Sequence, residues 1–255
     1  MRKTTNTTVV TMRGALLRGS LILLVTLACY RFALGQGSAP IQHREWEATG
    51  FVGVAFGNEF QFRTPVIGSN LDSSRTVGMK FDSGYQVGVR ANQNLGDYMG
   101  AALEYNLARQ PLLLTNLSPS IPSLSLAHWV NQLTYSVSYS PMDRSKRFRP
   151  YGDLGVGAVL FHIAGHSKTE ARALGVPLRD SWALAFLWGG GLKYPIVDQF
   201  AFTVDVKDRL TRIPSFGIPE TARVVNGQYQ PGMALHGTMQ TWQLNFGVTY
   251  QWDEP

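Results

Sequence analysis

The sequence predicts an all-β protein, an eight-stranded antiparallel up-and-down transmembrane β-barrel, on three observations. First, its last full stretch alternates strictly. Trp242, Leu244, Phe246, Val248, Tyr250 and Trp252 share one parity, while Gln243, Asn245, Gly247, Thr249 and Gln251 share the other. A pleated strand then has one apolar and one polar face, a pattern no helix fits. Second, similar segments recur eight times, each near the ~9–11 residues that a tilted strand needs to cross hydrocarbon. Third, the connections alternate between short and long, the asymmetry of an even-stranded barrel with tight turns at one membrane face and long loops at the other.

Each segment carries the same signature. The first runs from about Trp46 to Phe56, with Val52, Val54 and Phe56 opposite Glu47, Thr49 and Gly53. The second, near Phe81 to Asn92, sets Tyr85, Val87, Val89 and Ala91 against Gln86, Gly88, Arg90 and Asn92. A tight turn at Asn94-Leu-Gly-Asp97 leads into the third, where Met99, Ala101, Leu103, Tyr105 and Leu107 face away from Gly100, Glu104 and Asn106. The fourth, His128 to Ser140, alternates Leu133, Tyr135, Val137 and Tyr139 with Gln132, Thr134, Ser136 and Ser138.

The fifth, Tyr151 to His162, opposes Leu154, Val156, Ala158 and Leu160 to Asp153, Gly155 and Gly157. Leu184, Phe186, Trp188, Leu192 and Tyr194 form the apolar face of the sixth, Trp182 to Tyr194. Ile196-Val-Asp-Gln199 turns it into the seventh, with Phe200, Phe202, Val204 and Val206 opposite Thr203, Asp205 and Lys207. The stretch ending at Trp252 is the eighth. Residues 58–80, 108–127, 163–181 and 210–237 are left as long outer loops.

Composition agrees with one folded body: 255 residues, 44% apolar and 16% charged. The formal charge of +6 comes mostly from the front end, where Arg2, Lys3, Arg13, Arg18 and Arg31 meet no acid. Without those five, 18 cations face 17 anions, and the basic balance that would favour nucleic acid disappears. That front end reads as an export signal. It has a basic region to Arg18, an apolar core from Leu21 to Ala28 too short to span a bilayer as a helix, and a small-x-small site at Ala33-Leu34-Gly35. Thr26-Leu27-Ala28 offers a second site just before Cys29, the sole cysteine, which a lipoprotein signal would lipidate. Cleavage after Gly35 leaves no cysteine for a disulfide, a zinc site or a thiol nucleophile. The organisation is therefore a signal over 1–35, a periplasmic segment over 36–44, the barrel over 45–252 and a tail over 253–255, with both mature ends periplasmic.

Alternation alone does not say which face is inside. Lipocalin-like barrels also have eight strands but turn their apolar residues inward. Here the apolar parity carries Trp182, Phe186, Trp188, Phe202, Trp242 and Trp252 among others, more bulk than so narrow a bore can pack. The opposite parity is glycine, serine, threonine and a few charges. A lipid-facing exterior round a polar lumen follows, with every backbone group paired in a closed barrel.

The segment Arg149-Pro-Tyr-Gly-Asp-Leu-Gly-Val-Gly-Ala158 and the closing Phe246-Gly-Val-Thr-Tyr-Gln-Trp252 resemble motifs of the small outer-membrane barrels of the OmpA/OmpX type. The resemblance implies an outer-membrane location and recognition of the aromatic last strand (Trp242, Leu244, Phe246, Val248, Tyr250, Trp252) by the barrel-assembly machinery. Two departures stand out: Asp253-Glu-Pro255 follows the terminal aromatic, and no peptidoglycan-binding domain follows the barrel.

Seven charges fall on the lumen parity: Glu47, Arg90, Glu104, Asp153, Lys193, Asp205 and Lys207. Unpaired charge is costly at low dielectric, so pairing is expected, Arg90 with Glu104 or Glu47, and Lys193 or Lys207 with Asp205 or Asp153. The result is a polar plug or, as the alternative, an ion path. Arg144, Lys146, Arg147 and Arg149 make the fourth-to-fifth turn basic, suited to headgroups or wall polymers or simply solvated. Leu112-Leu113-Leu114 is unusually apolar for a loop and reads as a binding surface or as strand extending past the bilayer. His128, His162 and His236 lie at the height where a lipid A deacylase would act, yet none has a serine two residues away on its strand face.

No metal cluster, cofactor site or catalytic set is read. The expected role is structural or interactive, with outer-membrane lipid, lipopolysaccharide and the assembly machinery as partners and an unidentified extracellular ligand. A lipid A hydrolase and a small pore are the competing readings.

Overall fold

The computed structural model describes residues 45–67, 73–118, 121–143, 146–197, 199–225 and 228–252. The expected signal, the segment before the barrel and the three-residue tail lie outside them. In chain order the strands are β1 (Trp46–Ala55), β2 (Asn58–Ile67), β3 (Ser73–Phe81), β4 (Gly84–Asn94), β5 (Met99–Arg109), β6 (Leu112–Ser118), β7 (Ile121–Leu126), β8 (His128–Tyr139) and β9 (Arg149–Ile163). After helix α1 (Gly165–Ala173) come β10 (Ser181–Val197), β11 (Phe200–Arg212), β12 (Ala222–Val225), β13 (Gln228–Gln230) and β14 (Thr238–Trp252).

Eight of these close into a barrel in the order β1-β14-β11-β10-β9-β8-β5-β4, each pair antiparallel. They are the eight segments that alternation marks out. The first and last strands meet with Trp46 opposite Trp252 and Ala55 opposite Gln243, so no edge is left open. Outward positions are apolar and exposed, among them Val52, Val89, Leu103, Leu133, Tyr135, Val156 and Phe246. Inward positions are buried and mostly polar toward the end that carries the short turns, called here the turn end. Glycine on the inward parity makes room for bulk opposite it. A side chain at Gly88 would fall on the ring of Phe51, and a Cβ at Gly189 would lie 2.9 Å from Cγ of Lys207.

The stretches expected to be long loops are the main departure. They fold into a second, six-stranded sheet in the order β13-β12-β2-β3-β6-β7, plus α1. Phe62, Val77, Met79, Phe81, Leu112, Leu114, Leu124 and Leu126 share its buried side. Leu112 and Leu114 are therefore core of a strand and not an exposed binding surface, since β6 pairs with both β3 and β7.

This sheet covers the end of the barrel opposite the short turns, called here the cap end. Its core is continuous with the inward residues of the upper bore, Ala55, Ala108, Val130, Val159, Phe161 and Ala185. At the junction Phe81, Phe161 and Phe216 surround the imidazole of His128 at ring distances of 5.5, 5.8 and 5.7 Å. His128 thus faces inward and is fully buried rather than interfacial. Phe216 reaches the cluster from a left-handed backbone conformation (φ +51°) followed by Gly217 (φ +75°), and its carbonyl accepts the Arg179 N–H at 2.8 Å. Such a conformation costs a non-glycine residue roughly 1–2 kcal/mol, which burial of the ring offsets.

Candidate functional site

The polar part of the bore gathers the charged residues that the lumen parity selects. Arg90 on β4 donates from Nε to Oε2 of Glu104 on β5 at 2.7 Å and from Nη2 to Oδ2 of Asp205 on β11 at 2.8 Å. Lys207 Nζ meets the same Glu104 oxygen at 2.6 Å and Asp153 Oδ2 on β9 at 3.6 Å. Two cations thus serve three carboxylates across the full width of the barrel. The Tyr151 hydroxyl adds a donor to Asp205 Oδ2 at 3.2 Å, and Asn245 Nδ2 donates to Asp205 Oδ1 at 2.8 Å. Phe51, the one aromatic on the inward parity of β1, lies under the Arg90 guanidinium at 5.6 Å. Lys207 is 0% exposed, so its charge rests wholly on these neighbours.

Nearer the turn end a second group centres on Glu47. Lys193 pairs with it, Gln251 and Asn94 donate to Oε1 at 2.9 and 3.0 Å, and Asn92 donates to Oε2 at 3.3 Å. Lys193 therefore bonds Glu47, not Asp205 or Asp153 as expected. The rungs explain it: Lys193 lies opposite Thr203, one inward position closer to the mouth than Asp205. Between the groups, hydroxyls of Thr49, Thr249 and Thr203 form a chain with 2.8 Å links.

Two inward cations are absent from the sequence-derived set. Arg149 belongs by spacing to the basic turn, but it opens β9 on the parity of Tyr151 and Asp153 and sits opposite Lys193 at the mouth. Like charges facing each other across a ladder destabilise it, and Glu47 lies close enough to both to offset that. Arg209 lies past the point where alternation fades. It is buried, donates from Nη1 to Gln132 Oε1 at 3.0 Å, and has no ion pair among the described residues. The remaining turn cations separate: Arg147 places its guanidinium 5.4 Å from the outward ring of Tyr194, Lys146 is exposed, and Arg144 lies outside the described residues.

The mouth holds a small cavity of about 30 Å³ lined by Glu47, Asn92, Tyr98, Arg149, Tyr151 and Lys193, room for a water or so. Above it the bore is occupied by the charge network, then by the apolar core. Among the described residues no group of His, Cys, Asp and Glu could hold a metal. The aromatic last strand presents Trp242, Leu244, Phe246, Val248, Tyr250 and Trp252 outward as alternation requires, with Tyr250 stacked on Trp252 at 5.8 Å and against Phe200 at 5.3 Å.

No protein-family model and no curated protein sequence matches the chain. Solved structures do. The outer-membrane protein OprG of Pseudomonas aeruginosa is 18% identical with a TM-score of 0.55, over 84% of this chain and 99% of OprG. Neisserial surface protein A is 12% identical (TM-score 0.46; 85% and 100% covered) and outer membrane protein W of E. coli 17% identical (TM-score 0.36; 83% and 100% covered). The OprG likeness carries the comparison, and at that identity it speaks for the fold. The chain has the architecture of a small eight-stranded outer-membrane barrel, and its girdled, lipid-facing exterior is that of a protein of the outer membrane.

Proposed function

We propose that the protein is a closed outer-membrane barrel that acts through the β-rich cap it holds outside the cell. The orientation follows from the connections: the short turns β4–β5, β8–β9 and β10–β11 mark the periplasmic end, and the cap grows from the long ones. The observation that carries the reading is the crosswise network of Arg90, Lys207, Glu104, Asp153 and Asp205, which spans the bore with buried, mutually bonded groups. Charges paired this closely act as a plug, because moving one aside to pass an ion strands its partner in a dry medium. The cap is packed on a hydrophobic core continuous with that of the upper bore, which supports a role as an ordered display surface for an extracellular ligand rather than a set of free loops.

On this reading lipopolysaccharide surrounds the upper barrel, the assembly machinery recognises the aromatic strand β14, a cleaved signal precedes residue 36, and the protein is not an enzyme. The His128 imidazole supports the last point: its Nδ1 is hydrogen-bonded to the Gln110 carbonyl at 3.1 Å and among the described residues no serine reaches its Nε2. Planar-bilayer recording of purified protein tests the plug. No conductance steps are expected from the wild type. Steps well above background from the wild type would show an open path and overturn the reading. Release of fatty acid from lipid A by the same preparation would overturn the non-enzymatic part.

A further inference from the structure

The outer wall of the barrel changes character at one level near the cap. Register places Tyr85, Arg109, Trp129 and His162 side by side on β4, β5, β8 and β9. One outward position lower on the same strands the row is Val87, Leu107, Asn131 and Leu160, and the amide of Asn131 accepts the Tyr105 hydroxyl at 2.8 Å, which takes its polarity out of the lipid. The β5 strand runs 11 residues from Met99 at the turn end to Arg109. That is about 34 Å along the strand and about 25 Å in height at the usual tilt, the thickness of the apolar band. Arg109 therefore emerges where hydrocarbon gives way to headgroups.

Its guanidinium lies 5.7 Å from the Trp129 ring and donates to the Tyr85 hydroxyl at 3.4 Å, with no acid in ion-pair range among the described residues. On the far side of Trp129, Lys168 Nζ and His162 Nδ1 both meet the Asp180 carboxylate, at 2.7 and 3.0 Å. Helix α1, which carries Lys168, is tied over the start of β8 by the bond from Ala127 N–H to Ser167 Oγ at 3.0 Å. The wall thus presents one unshared cation and one cation partly offset by Asp180. Arg109 is on β5, and Lys168 is linked through Asp180 to His162 of β9, two strands away and about 10 Å at the spacing of neighbouring strands, with the Trp129 indole of β8 between.

We infer that this row is a docking site for the doubly phosphorylated sugar headgroup of the outer leaflet, lipid A, with Arg109 on one phosphate, Lys168 on the other and Trp129 against the sugar between. A guanidinium held rigid by two aromatic groups at the headgroup level, with no acid of its own, takes its counter-charge from the lipid. The second cation, on the far side of the indole, favours a headgroup with two phosphates over one. The inference rests on the cap end being external.

The test is native mass spectrometry of the purified full-length chain in detergent, titrated with bisphosphoryl lipid A, monophosphoryl lipid A and phosphatidylglycerol. Bisphosphoryl lipid A is expected to be retained about tenfold more strongly than either of the others. Arg109→Gln should lower that retention about tenfold, Lys168→Gln less because Asp180 already shares its charge, and the double variant should fall to the level of phosphatidylglycerol. Heat-modifiable migration on gels shows that each variant is folded. Equal retention of the three lipids by the wild type, or undiminished retention by a folded Arg109→Gln variant, overturns the site. Protease cleavage of the cap on intact cells tests orientation separately, so a reversed barrel and a missing lipid site give different results.

Discussion

The lower and upper halves of the bore use the same inward-pointing positions and fill them in opposite ways. Toward the turn end the space between strands is closed by charge, with Arg90 and Lys207 distributed among Glu104, Asp153 and Asp205. Toward the cap it is closed by shape, with Phe161, Phe216, Val130 and Met239 packed until nothing of them is accessible beyond about one per cent. A charged plug depends on every partner being present, because each lost group strands another. An apolar plug loses contact area in proportion to what is removed. The two halves should therefore fail differently when altered.

The largest effect is expected in the charged half. Lys207→Met leaves Glu104 and Asp153 facing each other without their shared cation, and should cost about 3–5 kcal/mol in urea unfolding from detergent. Adding Glu104→Gln should restore part of that loss, the sign that stranded charge was its cause. In the apolar half, Phe216→Ala should cost about 3 kcal/mol, since it removes a buried ring while alanine, which keeps a Cβ, retains the backbone strain. Limited proteolysis should then cut the cap while the barrel keeps its heat-modifiable migration. Gly88→Ala puts a methyl group onto the Phe51 ring beneath Arg90 and should cost about 1–3 kcal/mol by the same unfolding assay.

The smallest effect belongs to the cap surface. Burial alone would raise the Asp180 carboxyl, but hydrogen bonds from Lys168, His162 and the Ile163 N–H outweigh it and hold the group below the ordinary aspartate range. A carboxyl depressed on folding contributes stability above its unfolded pKa and loses it as pH falls through the lower folded value. Wild-type cap protection should accordingly weaken below about pH 4. Asp180→Asn should show the weaker protection already at neutral pH, by less than about 1 kcal/mol because the carboxylate is partly exposed. Proteolysis rates across that range distinguish the two proteins.

The same contrast explains what could be read from the residues alone. Where a strand separates lipid from a polar bore, every second residue changes character, and all eight barrel strands stand out by that alternation. In the upper bore both parities are apolar: Leu160 faces lipid while Phe161 faces the core, and Leu187 is buried between outward Phe186 and Trp188. The period-two signal vanishes there. Arg209 was missed for the opposite reason: on β11 Asp208 occupies the outward parity between Lys207 and Arg209, so charge falls on both parities there and the alternation ends. The second sheet left a trace in Leu112-Leu113-Leu114, but its strands pair across loops far apart in sequence, such as β12 with β2, and no local pattern announces such partners. Which lumen charges converge was legible from parity. Which pairs form depended on rung height, which a register shifted by a single pair would change.

The closure of the cylinder has a temporal meaning as well. Glu47 accepts a hydrogen bond from Gln251, a partner 204 residues along the chain, so the seam between β1 and β14 can be sewn only when β14 has arrived. Joining such distant ends is entropically slow. Until then the chain must travel with its greasy stripes unsheltered, and the tempo of closure is set by the arrival of β14.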